Sequence, residues 1–168
     1  TQGVSSAASD VYKRQLLYSK KDANAKDIES ALAISQSTEF VSKKPEGIHS
    51  EISQGGTNVS GGQRQRLSIA RAIVRKPEIY IFDDSFSALD FKTDAKLREA
   101  LAASCKETKS TVLLVAQRIS SILHADQIIV LDEGKMVGKG THAELMESCD
   151  VYQQIASSQL TKEELANV

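Results

Sequence analysis

One short segment combines residue types that suit binding of a phosphate group. Ser60, Gly61, Gly62 and Gln63 follow one another directly before a stretch with helical periodicity. Two adjacent glycines leave backbone N–H groups uncovered, the serine hydroxyl adds a donor, and a helix N-terminus carries a partial positive charge. The segment therefore predicts an anion site suited to phosphate, although by itself it also fits a simple helix cap after a flexible loop.

A second segment could supply carboxylates to a metal ion and to a reacting water. The apolar run from Ile79 to Phe82 ends in Asp83 and Asp84, which places two acids at the end of a predicted buried strand. Ligands of α/β proteins bind at the C-terminal ends of the strands. Asp83 is then positioned to hold Mg²⁺, directly or through water, and Asp84 to face an attacking water. On its own the pattern also fits a strand that runs into a cap.

The elements that would position these residues alternate between helix and strand. Helices are predicted at 22–40, 62–75, 92–104, 143–146 and 152–160, and strands at 79–82, 112–115, 128–131 and 135–138. The first helix has Asp22 or Asn24 as a candidate cap, and Glu133-Gly134 predicts a tight turn between the last two strands. The first three strands are continuously apolar, which indicates burial on both faces in a parallel sheet covered by helices. The chain is therefore assigned to the α/β class.

Composition narrows the function classes. The chain has 168 residues, enough for one domain, and 21 Lys plus Arg against 22 Asp plus Glu give a net charge of -1. This balance, with no single basic stripe on the arginine-rich second helix, argues against a nucleic-acid partner. No apolar run approaches the roughly 20 residues that a membrane span needs, and the first residues lack a signal peptide's apolar region. Two distant cysteines and three scattered histidines match no metal spacing. We expect a soluble cytosolic domain.

Together with a third segment, residues 87–90, these patterns resemble the nucleotide-binding domain of the ATP-binding cassette (ABC) family. The resemblance is strongest to multidrug or lipid exporters. Residues 60–63 match the signature motif of the family and residues 79–83 its Walker B. The D-loop is matched by Ser87, Ala88, Leu89 and Asp90. Residues 50–56 look like the exporter-specific loop that contacts the coupling helices of the membrane domain. The resemblance extends from about Leu16 to Leu160.

The resemblance implies a fold and its boundaries. The fold would be α/β, the C-terminal part of a P-loop NTPase domain with part of its α-helical subdomain. Residues 16–76 would hold that subdomain and the signature, and residues 77–160 the Walker B and the core sheet. Residues 1–15 show no regular period, so we expect a poorly ordered tail outside the family match, and residues 161–168 would form a C-terminal tail.

One motif of the family has no counterpart in this sequence. No G-x-x-x-x-G-K-[ST], the Walker A pattern, occurs in the chain, and the nearest stretch, residues 134–140, has the wrong spacing. We therefore expect the chain to begin after Walker A and the Q-loop, and to be inactive in isolation.

The resemblance also implies ATP and Mg²⁺ as cofactors, and ATP hydrolysis coupled to export as the reaction. Asp83 would bind Mg²⁺ through water, Asp84 would orient the nucleophile, and Gln117 would sense the γ-phosphate. The signature residues Ser60, Gly61 and Gly62 would close over a nucleotide held by a second nucleotide-binding domain. Gln63 would support that loop, and Asp90 would couple the two sites across the interface.

Two residues depart from the family pattern. Asp84 stands where the family normally has Glu, and Gln117 where it often has His. These changes suggest a slow, degenerate site in one half of a heterodimeric exporter at the cytoplasmic face of the cell membrane, with a membrane domain fused upstream. The alternatives are a homodimeric exporter that tolerates Asp84, a non-catalytic regulatory ATP-binding module, and a soluble ABC ATPase of DNA repair or translation.

Overall fold

The computed structural model describes residues 10–53 and 57–160, and the chain forms two compact units that divide after Leu114. The first unit contains β1 (Asp10–Val11), α1 (Tyr12–Ser19), α2 (Ala25–Ile34), α3 (Thr38–Ser42), β2 (Glu51–Ile52), α4 (Gly61–Ile73), β3 (Ile79–Asp83), α5 (Phe91–Thr108) and β4 (Thr111–Val115), which ends at the boundary. The second contains β5 (Ile128–Asp132), β6 (Lys135–Gly140), α6 (His142–Ser148) and α7 (Asp150–Gln159). None of these described helices has the length and apolarity of a membrane span.

The segment before residue 16 belongs to the fold wherever the structure describes it. β1 pairs antiparallel with β2, and α1 already begins at Tyr12. Tyr12 and Leu16, one helical turn apart, are fully buried, and the Tyr12 ring lies 6.2 Å from that of Phe40. The prediction of a tail over residues 1–15 is therefore wrong for residues 10–15, because this buried pair straddles the predicted boundary. Residues 1–9 and 161–168 lie outside the described residues.

The predicted helix at 22–40 is two helices, α2 and α3. Asn24 caps α2, since its side chain accepts a hydrogen bond from the Asp27 N–H at 2.9 Å. The chain then breaks at Gln36, whose φ of 56° lies in the left-handed region. The break is stabilised by two buried serines, because the Ser35 hydroxyl donates to the Ser37 Oγ at 2.8 Å. Serines that bond to local groups in this way compete with helix continuation.

The break between α2 and α3 is a point of attachment for the helix α4, which includes residues 61–63. Arg66 of α4 donates from Nη1 to the Gln36 carbonyl at 2.6 Å, and its guanidinium carbon lies 4.7 Å from the centre of the Phe40 ring. The inner face of α4, which corresponds to the helix predicted at 62–75, is buried in the core of the first unit; it consists of Leu67, Ile69, Ala70 and Ile73, followed by Val74.

Strands β3 and β4 are hydrogen-bonded neighbours joined by α5, and β3 alternates between buried and exposed residues. Tyr80 and Phe82 enter the core of the first unit, whereas Ile79 and Ile81 are 58% and 72% exposed. The expectation of burial on both faces is therefore not met, because only one face of β3 packs against other described residues of this unit.

The second unit packs two helices on a hairpin. β5 and β6 pair antiparallel, and the predicted tight turn is confirmed, with Glu133 and Gly134 at φ of 46° and 76°. Buried inside the unit, the Nδ1 of His142 and the hydroxyl of Tyr152 are 2.8 Å apart, which joins α6 to α7. The core of this unit consists of Ile119, Ile128, Val130, Leu145, Cys149, Tyr152, Ala156 and Leu160.

Asp27 links α2 to the end of α4 through an ion pair that responds to pH. Its carboxylate accepts from the Lys76 Nζ at 2.6 Å and from the Lys20 Nζ at 3.3 Å. These bonds, that of Lys76 foremost, lower the pKa of Asp27 to about 2. An unfolded Asp titrates near about 3.9. The ion pairs of Asp27 therefore stabilise the folded chain fully above about pH 4, and this stabilisation is lost as the pH falls toward about 2.

We expect Asp27→Asn to destabilise the chain at neutral pH and to flatten the acid limb of its stability profile, since the neutral amide loses the attraction of both lysines. Urea unfolding followed by circular dichroism from about pH 7 to about pH 2 measures this. Glu29→Gln, at an exposed acid of the same helix, is the matched control. An acid limb as steep in Asp27→Asn as in the wild type would contradict the assignment.

Candidate functional site

Residues 60–63, here called the SGGQ turn, form both a helix cap and a turn that is exposed at Ser60 and Gly61. The Ser60 Oγ accepts from the Gln63 N–H at 3.2 Å, and the Gln63 Oε1 accepts from the Ser60 N–H at 3.0 Å. This reciprocal pair is a capping box, so Gln63 supports the turn by closing it. Because a helix leaves its first N–H groups without intrahelical partners, those of Gly61 and Gly62 suit an anion.

The two acids lie at the end of β3, at the start of the β3–α5 loop (residues 84–90). Asp83 is the last residue of the strand and Asp84 the first of the loop, and both are exposed. The loop is anchored by two buried apolar residues, Phe86 and Leu89. The Phe86 ring packs edge-on against Phe82 with a centroid distance of 5.4 Å. The carboxylates therefore extend from a segment that the core holds in place.

Asp84 has an unusual backbone conformation for a residue with a side chain. Its φ is 46°, in the left-handed region that costs a non-glycine residue free energy. Its carbonyl accepts a hydrogen bond from the Ser87 hydroxyl at 3.1 Å. A local hydrogen bond of this kind stabilises the turn that carries the Asp84 carboxylate.

Asp90 ends the β3–α5 loop by capping α5. Its Oδ1 accepts from the Thr93 N–H at 3.0 Å, and this backbone bond is the main cause that lowers the pKa of Asp90, with a smaller contribution from the charge of Arg66. The residue predicted to couple two sites is thus also an N-cap, which fixes where α5 begins.

The SGGQ turn and the β3–α5 loop lie directly against each other. A Cβ atom at Gly62 would lie 2.9 Å from the Ala88 carbonyl oxygen, so only glycine fits without displacing the loop backbone. The side chain of Gln65 bridges the same two segments, because its Oε1 accepts from the Ala88 N–H at 2.9 Å. The structure therefore brings the predicted site residues of the SGGQ turn next to those of the β3–α5 loop.

Sequence reasoning missed Gln65. The available signal is its spacing: Gln65 follows Gly62 by three residues, and residues three apart share one face of a helix. A glycine that permits close approach, with an amide side chain one turn later, indicates a helix face that contacts backbone.

Gln117 lies in the second unit, and the structure describes its surroundings there. Its side chain is exposed, and its backbone carbonyl accepts from the Gln159 Nε2 at 3.0 Å. The Oε1 of the same Gln159 accepts from the Ile119 N–H at 2.8 Å. The amide of Gln159 on α7 therefore fixes the backbone on both sides of Arg118.

The predicted exporter-specific loop, residues 50–56, is described only up to residue 53. Residues 54–56 lie outside the described residues. On the flanking chain, the Asn58 side chain accepts from the Ser53 N–H at 3.1 Å and donates to the Glu51 carbonyl at 2.9 Å. This amide closes the base of the segment just before the SGGQ turn.

The acids at the end of β3 fit a magnesium ion that is shared with a nucleotide. Within residues 10–53 and 57–160, no three His, Cys, Asp or Glu side chains form a cluster that could hold a metal ion. Mg²⁺, however, usually binds through one or two carboxylates together with water and substrate phosphates. Asp83 and Asp84, adjacent and exposed, offer such a donor set.

Comparison with known proteins matches the chain to a family. Residues 4–87 match the family model described as ABC transporter, so the match begins well before the predicted boundary at residue 16. An uncharacterised ABC transporter ATP-binding protein of Mycobacterium tuberculosis is 49% identical over 129 residues, 77% of this chain and 22% of that protein. The ABC multidrug transporter MDR2 of Trichophyton rubrum is 42% identical over 131 residues, 78% of this chain and 9% of that protein.

A solved structure gives the corresponding result for the fold. A bacterial Atm1-family ABC exporter with ATP bound matches with a TM-score of 0.84 and 28% identity, over 92% of this chain and 27% of that chain. The α/β fold is therefore that of an ABC ATPase domain. This chain spans about a quarter or less of the length of these three proteins.

The two glycines of the SGGQ turn provide a matched pair of substitutions. Gly62→Ala places a methyl group 2.9 Å from a backbone oxygen, whereas the nearest atom to a Cβ at Gly61 is the Ala88 Cβ at 4.0 Å. We expect Gly62→Ala to lower the free energy of unfolding by about 1–3 kcal/mol through overpacking. Gly61→Ala should leave it unchanged or raise it by up to about 1 kcal/mol. Urea denaturation measures both, and equal effects would refute the close approach.

Proposed function

Since the chain belongs to the ABC transporter family, we propose that it is part of an ATP-hydrolysing domain that drives export across a membrane. The observation that carries the proposal is the partly exposed SGGQ turn lying against the β3–α5 loop, with two exposed carboxylates where β3 runs into that loop. The exporter among the structural neighbours supports it, since that protein was solved with ATP bound. The domain would act at the cytoplasmic face of the membrane, attached to a membrane domain.

The SGGQ turn would bind a nucleotide held by a second nucleotide-binding domain. The N–H groups of Gly61 and Gly62 and the hydroxyl of Ser60 are donors on an exposed helix N-terminus, which favours the γ-phosphate of ATP. Gln63 stays in the capping box and keeps the turn in shape. The proposed contact therefore needs no rearrangement of α4.

The acids of β3 would serve the nucleotide on the chain's own side. Asp83 would hold Mg²⁺, which when bound neutralises charge that develops on the phosphates. Asp84 would accept a hydrogen bond from the attacking water and orient it. Gln117 would donate its side-chain amide to the γ-phosphate, as a residue that senses the nucleotide without carrying a charge.

The identity of Asp84 supports a slow site and hence a heterodimer with one competent partner. An aspartate is one methylene shorter than a glutamate, so its oxygens lie about 1 Å farther from a water positioned for glutamate, which can cost about 10²-fold in rate. The same residue favours a second candidate function, a regulatory module that binds ATP without useful turnover. In both the heterodimer and the regulatory module, Asp84 supports only slow ATP hydrolysis, whereas in a homodimeric exporter it would support hydrolysis at a useful rate.

We expect Asp84→Glu to raise ATP hydrolysis at this chain's own site by up to about 10²-fold, because the longer side chain reaches the water. Asp84→Asn should change a site that is already slow very little. The measurement is steady-state ATPase activity of the purified exporter that contains this chain, with the catalytic acid of the second domain replaced so that one site is observed.

The opposite pattern identifies a competent aspartate. If Asp84→Asn abolishes hydrolysis and Asp84→Glu leaves it unaltered, the site is not degenerate and the heterodimer proposal is wrong. A regulatory module is identified by a third pattern, in which Asp84→Glu restores hydrolysis but transport by the complex does not increase.

A further inference from the structure

Gln65 lies outside the segments predicted to form the site, yet its side chain contacts one of them. It is half-buried on α4, one turn after Gly62, and it faces the β3–α5 loop. Its neighbours on α4 have other roles, since Gln63 closes the capping box and Arg66 binds the Gln36 carbonyl. Gln65 contributes to neither of those interactions.

Three contacts join the Gln65 amide to the loop. Its Oε1 accepts from the Ala88 N–H at 2.9 Å, and its Nε2 donates to the Ser87 Oγ at 3.1 Å. The same Nε2 lies 3.4 Å from the Asp84 carbonyl oxygen, a longer contact. A backbone N–H only donates and a carbonyl only accepts. One orientation of the Gln65 amide therefore suits both the Ala88 N–H and the Asp84 carbonyl.

These contacts hold Asp84, whose left-handed backbone conformation is unfavourable for a residue with a side chain. The left-handed Asp84 is held through its carbonyl, which faces the Ser87 hydroxyl and the Gln65 amide. A residue in this region of φ/ψ space persists only where its surroundings hold it. Loss of the Gln65 amide removes one of these restraints, and the direction of the Asp84 carboxylate then becomes less defined.

We propose that Gln65 is a positioning residue that couples the SGGQ turn to the Asp84 carboxylate within one domain. This inference rests on the proposed function, in which the turn serves a nucleotide on the second domain and Asp84 serves the chain's own. A small shift of the intact helix α4 when the turn binds its nucleotide would then reach Ala88 and Asp84 through the hydrogen-bonded Gln65 side chain. Gln65 is not among the residues proposed to bind either nucleotide, and its contacts are to loop residues, so it would act through them.

The contact itself is tested on the whole chain by amide hydrogen exchange at Ala88. Gln65→Met keeps the length of the side chain and removes its hydrogen bonds, and Gln65→Glu keeps an acceptor for Ala88. We expect exchange at Ala88 to become about 3- to 10-fold faster in Gln65→Met, the factor that corresponds to one hydrogen bond, and to stay close to wild type in Gln65→Glu. Ser68→Ala, at an exposed position on α4, is the matched control.

Two results would overturn the contact. One is Ala88 exchange in Gln65→Met that equals the wild-type rate. The other is faster exchange throughout α4, visible also as a loss of helical circular dichroism, which would give Gln65 a merely structural role.

The coupling is tested in the exporter that contains this chain, with ATP hydrolysis followed against ATP concentration. We expect Gln65→Met to reduce the cooperativity of the ATP dependence, because the turn and the loop are then no longer joined by this amide, with Ser68→Ala unchanged. A general loss of folded protein would lower kcat alone and leave KM and cooperativity as they were, which would contradict the proposal. If the wild-type exporter hydrolyses no ATP, the proposed function fails, whereas changed Ala88 exchange would still support the contact.

Discussion

The first turn of α4 approaches the backbone of the β3–α5 loop more closely than any side chain at residue 62 would permit, and the site is built on this approach. A Cβ at Gly62 would lie 2.9 Å from the Ala88 carbonyl oxygen. The Gln65 amide fills the space next to it and bonds to the Ala88 N–H. Two segments that are distant in sequence thereby become one assembly, which offers backbone donors at one end and carboxylates at the other.

The core of the first unit fixes where this assembly lies. α4 is held by its buried apolar face and by Arg66, which reaches the break between α2 and α3. The loop is held by Phe86 and Leu89, which are buried in the same core. Because these anchors are packed side chains, the exposed Asp84 can keep an unfavourable backbone conformation, a cost that functional sites commonly carry. The geometry offered to a nucleotide therefore depends on ordinary packing several residues away.

The parts of the fold that sequence reasoning located are those specified by local patterns. The helical periodicity after the two glycines identified α4 to within two residues at its end, and the run that ends in Asp83 identified β3. The missed features depend on contacts distant in sequence. Tyr12 is buried against Phe40, and Gln65 meets Ser87, which is 22 residues away in the sequence. The Gln36 break is local, but its two serines resemble ordinary polar helix positions until their burial is known.

The most direct test of the central claim is whether the SGGQ turn binds a nucleotide held by a second domain. The chain would be mixed with an ABC nucleotide-binding domain that has an intact G-x-x-x-x-G-K-[ST] loop, and association would be followed as Mg-ATP is added. We expect association only with Mg-ATP present, and its loss in Ser60→Arg. Association that is independent of nucleotide, or Mg-ATP binding by the chain alone as tight as in the mixture, would contradict the claim.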